Sequence, residues 1–159
     1  MDKSSRHSKI AGDFGEDLIL YWLSKNGFET ALLDHTGIDL LAYHSKTKRR
    51  LGISVKTRTR KTGTEKEGVY LKVGEIGKIK DACKAFEAEP FVGIVIDKIN
   101  QIELFVISLD AIIKINNVST TYINIKVKES DIQKYKQQSD LLYIKLDYEE
   151  ILRLESHEK

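Results

Sequence analysis

Two short stretches of alternating apolar and polar residues, joined by a basic connector, constrain this chain more than any other feature. Residues 37–43 run Gly37, Ile38, Asp39, Leu40, Leu41, Ala42 and Tyr43, and residues 51–56 run Leu51, Gly52, Ile53, Ser54, Val55 and Lys56. The seven residues between them are polar or basic. A two-residue period is that of a half-buried strand, so the pair reads as a hairpin. On the first strand Ile38, Leu40 and Ala42 share one face, and Asp39 lies on the other with Leu41 and Tyr43. On the second, Leu51, Ile53 and Val55 share a face, which leaves Ser54 and Lys56 side by side on the opposite one. With suitable register, the Asp39 carboxylate and the Lys56 ammonium meet across the strands.

The charge distribution adds a substrate class. Net charge is only +2, yet residues 40–64 contain no acid and eight cations: Lys46, Lys48, Arg49, Arg50, Lys56, Arg58, Arg60 and Lys61. Such a block is an electrostatic footprint for a polyanion, most simply a nucleic-acid backbone. The plain alternative is a solvated basic hairpin that aids solubility, but the block's position beside Asp39 and Lys56 favours the functional reading. If the backbone stays extended past Lys56, then Lys56, Arg58 and Arg60 recur on one face about 7 Å apart, close to the phosphate repeat of one strand.

Around this hairpin the chain reads as one domain of the α/β class. Its 159 residues suffice for a proper core, and 41% apolar and 31% charged residues suit a globular protein. The longest apolar run, residues 18–23, is too short to cross a bilayer, and the basic start is not followed by the apolar core of a signal peptide, so the expected location is cytoplasmic, with no membrane partner. Residues 10–26 read as a helix, apolar nearly all round at residues 18–23 and therefore well buried, with Trp22 as core and Asn26-Gly27 as its stop. Residues 28–33 read as a strand and 34–37 as the turn into the hairpin. A second helix spans residues 73–89, with Ile76, Ile79, Cys83 and Phe86 on one stripe and Pro90 marking its end. Cys83, the only cysteine, is read there as a buried small hydrophobe, so neither redox chemistry nor a zinc site is indicated. Residues 91–96 read as a central buried strand, 102–108 as its neighbour, 109–115 as a short helix, and 122–127 and 141–146 as strands around a polar helical piece. The tail from Tyr148 has helical composition. The four histidines, His7, His35, His44 and His157, are read as turn or terminal residues without a catalytic role.

Hydrolysis of a phosphodiester needs a divalent cation that neutralises developing charge and lowers the pKa of an attacking water. Magnesium takes oxygen ligands, usually one or two carboxylates completed by waters and substrate phosphate. A lysine beside it stabilises transition-state charge. Asp39 and Lys56 supply one ligand and the ammonium, and a second carboxylate is expected two residues before the lysine.

The order of helix with Gly15-Glu16, strand, Gly37-Ile38-Asp39 strand, Ser54-Val55-Lys56 strand, helix and apolar strand resembles the PD-(D/E)XK nuclease superfamily, which includes restriction endonucleases and archaeal Holliday-junction resolvases. The resemblance covers about residues 10–108, with 109–159 as a C-terminal extension. It implies a restriction endonuclease-like core, a mixed sheet of about five strands flanked by helices in the order αβββαβ. It further implies that Asp39 is the metal-binding aspartate, Lys56 the motif lysine, and Glu16 the first-helix glutamate that assists metal binding. The implied activity is a DNA endonuclease dependent on Mg2+ or Mn2+, and because such enzymes often need two active sites the resemblance also allows a homodimer.

One position departs from the pattern. Ser54 stands where the superfamily has an acid, and a neutral hydroxyl leaves the site one negative charge short. Glu16 is the first candidate to supply the missing carboxylate, then Glu65, Glu67 or Glu75. Alternatively Ser54 holds a metal-bound water in a slower enzyme, or the site is spent and the fold serves as a non-catalytic nucleic-acid-binding or assembly protein. For Asp39 and Lys56 themselves, the plain reading is a solvated cross-strand ion pair. An ordinary structural protein with a basic face is the third class. The residues assigned to the nuclease reading are Asp39, Glu16, Lys56 and Ser54 in the site, and Lys46, Lys48, Arg49, Arg50, Arg58, Arg60 and Lys61 on phosphates.

Overall fold

The structure, a computed structural model, describes residues 4–64 and 66–151. A helix α1 (His7–Lys25) leads into strands β1 (Phe28–His35), β2 (Ile38–His44) and β3 (Arg49–Thr59). A short strand β4 (Val69–Lys72) runs directly into α2 (Val73–Ala85), which is followed by β5 (Glu89–Lys98) and β6 (Gln101–Ser108). The remainder is α3 (Leu109–Ile115), β7 (Tyr122–Ile125), α4 (Glu129–Lys136) and β8 (Leu141–Asp147).

Six strands form one mixed sheet in the order β1-β2-β3-β5-β6-β8, and β4 and β7 form a separate two-stranded ribbon. Only β3 and β5 are parallel, as the intervening α2 crossover requires. The buried face of α1, Ile19 and Leu23, packs on Leu40, Ala42, Leu51, Ile53, Phe91 and Val95. On the other side of the sheet, Ile79, Ala82 and Cys83 of α2 pack with Val92, Ile94, Ile96 and Phe105. The inner residues of the ribbon, Val69, Leu71, Ile123 and Ile125, complete that second core. Strand β5 therefore buries side chains on both faces, which is why its sequence is apolar without alternation. Burial pushes the Cys83 thiol up to about 11, in keeping with its reading as a packing residue.

Several local expectations are corrected. Helix α1 is covered on one side only. Gly15, Ile19 and Leu23 meet the sheet, while Ile10, Phe14 and Tyr21 are exposed; Trp22, as expected, packs against the core, half-buried at its edge under the Lys25 ammonium. A single sheet surface covers one stripe of a helix, so apolar composition all round did not translate into burial all round. The second helix stops at Ala85, where Glu87 turns the chain with φ 51°, and Pro90 falls inside β5 opposite Gly52. The main sheet has six strands rather than five, and β4 was not foreseen at all. Its four residues are too few for a period to declare itself, and its partner β7 lies some fifty residues away. The last third of the chain contributes a strand to each sheet, β8 on β6 and β7 on β4. Residues 148–151 are not helical, and 152–159 lie outside the described residues. Among the described residues, no helix is long and apolar enough to cross a membrane.

Candidate active site

The predicted hairpin is formed, with Leu40 opposite Ile53 and Ala42 opposite Leu51, all four in the α1-side core. Extending that register by one residue sets Asp39 opposite Ser54. Here the two strands part: β3 continues alongside β5 as far as Thr59, while its pairing with β2 ends at Ile53. The main-chain amides of β3 beyond that point need another acceptor. Asp39 provides it, its Oδ2 accepting a hydrogen bond from the Val55 amide at 2.6 Å. Among the described residues the second oxygen, Oδ1, accepts none. The parting also changes the side-chain pattern. Ile38 packs in the α2-side core rather than with Leu40 and Ala42, so the strict alternation expected across Asp39 is broken there.

Glu16 approaches from α1. That helix lies so close to β3 at this point that a Cβ on Gly15 would stand 1.9 Å from Thr57 Oγ1. Only a residue without a side chain fits, and its neighbour Glu16 is carried to the open end of the hairpin. Burial raises the pKa of Glu16 above the ordinary glutamate value, and the charges of Asp39, Asp13 and Asp17 raise it further, against a smaller opposing effect of Lys9. Glu16 and Asp39 thus repel one another when both are ionised.

A consequence for stability follows from the sign of this shift. A carboxyl whose folded pKa is raised favours the folded state below the unfolded value and loses that contribution as pH rises through the folded one. Glu16→Gln is expected to match the wild type near pH 3, where both are neutral, and to melt higher than wild type at neutral pH. Equal melting temperatures at both pH values would contradict the repulsion.

The even-numbered residues of β3 face α2, as Gly52 beneath Cys83 shows: a Cβ there would stand 2.6 Å from the thiol sulfur. Ser54, 5% exposed, follows on this face, and Lys56 after it. The Lys56 ammonium donates to Glu75 Oε1 at 2.9 Å, and Glu75 Oε2 accepts the Lys72 amide at 2.9 Å at the start of α2. Burial alone would raise Glu75, but these two hydrogen bonds and the charges of Lys56 and Lys72 outweigh it and hold the carboxyl below its ordinary value. Glu75 is therefore the acid that the structure brings to the Ser54 and Lys56 face. Glu67 instead lies 3.6 Å from Arg60, and Glu65 lies outside the described residues. The signal for Glu75 was weak in sequence, an acid in the first turn of the helix after the lysine strand, a position that helix dipoles favour for their own reasons. Among the described residues, no three His, Cys, Asp or Glu side chains converge in one cluster, so the site consists of two pairs, Glu16 with Asp39 and Lys56 with Glu75.

The basic residues divide into two groups. Lys46, Lys48, Arg49 and Arg50 sit at the closed end of the hairpin, where His44 pairs with Arg49, away from Asp39 at the open end. Arg49 is held by Glu89 at 2.9 and 2.6 Å and by Asp140 at 2.5 Å, which raises its pKa. Arg50 donates to the Phe86 carbonyl and lies over the Tyr43 ring. The structure therefore does not bring these four to the site, and two of them have structural partners. Arg58, Arg60 and Lys61 continue from Lys56 at the open end. Arg58 is exposed and donates to the Thr57 carbonyl, while Arg60 is bound to the Glu67 and Gly68 carbonyls and its pKa is lowered chiefly by burial.

No protein-family model matches this sequence, and no curated protein matches it. Solved structures do. The chain superposes on Hjc, a Holliday junction resolvase of Archaeoglobus fulgidus, with a TM-score of 0.56 at 20% sequence identity, over 79% of this chain and 87% of the resolvase. A restriction endonuclease in complex with substrate DNA gives a TM-score of 0.46 at 14% identity, over 93% of this chain and 74% of that one. With its mixed sheet between α1 and α2 and its resolvase neighbour, the chain has a restriction endonuclease-like fold.

Proposed function

We propose that this protein is a metal-dependent endonuclease that hydrolyses phosphodiester bonds in DNA. The observation that carries the reading is the Asp39 carboxylate, fixed on the Val55 amide where β2 and β3 part, with Glu16 near enough for the two carboxylate charges to act on each other and Lys56 on the same stretch of β3. The activity of the resolvase neighbour supports it. Two carboxylates that repel one another, one with an oxygen that accepts no hydrogen bond among the described residues, suit a hard divalent cation, which commonly takes one or two carboxylates and fills its remaining positions with water and phosphate. Mg2+ or Mn2+ bound there would supply Lewis acidity and a water of lowered pKa.

The remaining work falls to the chain's own side chains. Asp39 is oriented by the Val55 amide and cannot swing away without leaving that donor unpaired. Glu75 holds the Lys56 ammonium, which keeps two further N–H donors for phosphate oxygens, and it restores on α2 the negative charge that Ser54 lacks. Arg58 and Lys61, exposed just beyond, attract the backbone of the incoming strand. The C-terminal third belongs, in this proposal, to the same folding unit through β8 on β6.

The test is incubation of the full chain with plasmid, linear and branched DNA in Mg2+ or Mn2+, beside Asp39→Ala. Nicking by the wild type that the variant loses is the expected result, and no nicking under any condition would overturn the reading. Addition of Mg2+ should also raise the melting temperature of the wild type and leave that of Glu16→Gln nearly unchanged. A further variant, Ser54→Glu, should tighten metal binding in calorimetry, since it places an acid on the face of Lys56. The second reading, a non-catalytic DNA-binding protein, is favoured by Ser54 itself, and it predicts salt-dependent binding without cleavage.

A further inference from the structure

The outer face of the β4–β7 ribbon has no part in the hydrolytic chemistry, yet its composition is specific. Val69 and Leu71 pair with Ile125 and Ile123 and are fully buried, so alternation turns Tyr70, Lys72, Tyr122 and Asn124 outward. Tyr70 and Tyr122 lie diagonally across the ribbon, 51% and 41% exposed, with ring centroids 4.9 Å apart and planes nearly perpendicular. Both rings are therefore partly open to solvent on an exposed strand pair. Their surroundings are cationic. Lys72 is the register partner of Tyr122. At the other end of the ribbon, Lys66, Lys126 and Lys128 line a recess of about 310 Å³ beside Asn124, with Asp131 as its acid.

The position of this face matters as much as its chemistry. The Lys72 amide donates to Glu75, and Glu75 holds the Lys56 ammonium, so a single carboxylate links the end of the ribbon to the proposed catalytic lysine. Exposed aromatic rings among cations suit a strand whose bases are unpaired, because every base offers a π face to the rings while its phosphates meet the lysines. A perfect duplex hides its base faces in its own stack and could use only the cations.

We propose that the Tyr70–Tyr122 face of the β4–β7 ribbon stacks the unpaired bases of a DNA strand, so that the adjoining site acts on DNA with a single-stranded or branched segment rather than on uninterrupted duplex. The inference rests on the nuclease reading only for its second half; the binding surface can be tested alone.

Fluorescence anisotropy with a labelled oligothymidine, a forked DNA and a duplex of equal length would be measured for the wild type, Tyr70→Ala, Tyr122→Ala and Tyr70→Phe. Each alanine variant should weaken binding of the single strand and the fork about tenfold, as expected for loss of one base–aromatic stack. Duplex affinity and the salt slope should stay the same, and Tyr70→Phe should bind as wild type. Unchanged single-strand affinity in both alanine variants would overturn the proposal, as would an equal loss on duplex. Sedimentation of the same proteins excludes the other occupant: a wild-type dimer that the alanine variants break, with binding unaffected, would make the face a subunit contact and overturn the proposal. Its failure is separable from that of the nuclease reading. Asp39-dependent nicking alongside unaffected alanine variants would sink stacking alone, whereas tyrosine-dependent strand binding without nicking would uphold stacking and remove the enzyme.

Discussion

Asp39→Asn is expected to leave the protein folded and to reduce DNA nicking about a thousandfold. The asparagine side-chain oxygen can still accept the Val55 amide, so the local structure at the parting of β2 and β3 survives. What disappears is the negative charge. A carboxylate that binds a hard cation contributes several kcal/mol through it, and about 4 kcal/mol corresponds to about a thousandfold in rate. The comparison with Asp39→Ala makes the argument sharper, because alanine also strands the Val55 donor at a half-buried position, and an unmade hydrogen bond there costs about 1–3 kcal/mol of stability. Alanine should therefore lower both activity and melting temperature, and asparagine only activity. Nicking by Asp39→Asn within tenfold of wild type would remove Asp39 from the chemistry, and an equal loss of stability in both variants would deny the hydrogen bond its structural role.

Gly37→Ala is expected to destabilise the fold by about 3 kcal/mol, read from urea unfolding. Gly37 has φ 112°, in the region that side chains rarely adopt, and a Cβ built there would stand 2.3 Å from the Lys78 carbonyl oxygen of α2. The obstacle is main chain of a packed helix, which cannot turn aside as a side chain can, so strain and overlap act together. Because Gly37 lies two residues before Asp39, the chain's relief of that overlap would also disturb the site, and nicking by the folded fraction should fall as well. A cost below about 1 kcal/mol would show that β2 enters the sheet with more freedom than this geometry allows.

The outline of the fold was legible in the sequence where local pattern and burial agree. The two alternating stretches specify β2 and β3, and the short helix expected at residues 109–115 is found as α3 with Ser108 capping it through the Ala111 amide. Continuous apolar sequence specified β5 as a central strand for the same reason: a strand covered on both faces by α1 and α2 has no polar face to display. Asp39 and Lys56 could be named because a charged residue on an otherwise half-buried strand stands out against its neighbours. The resemblance of their order to a nuclease motif added Glu16, and the structure sets Glu16 in the field of Asp39.

What the tertiary structure alone decided depends on contacts between residues far apart in the chain. Arg49 reads as one more cation in a basic run, yet Glu89 and Asp140, 40 and 91 residues away, hold it at the closed end of the hairpin. Ile38 belongs by its period with Leu40, but the parting of the strands at Asp39 turns it into the opposite core. Glu75 becomes the partner of Lys56 only because α2 begins directly above β3. Tyr70 and Tyr122 come together only through a ribbon joining distant segments. Periodicity reports which way a side chain points along its own strand or helix. Which other strand or helix it then meets is fixed by packing, and in this protein packing set Glu75 on Lys56 and Tyr70 against Tyr122.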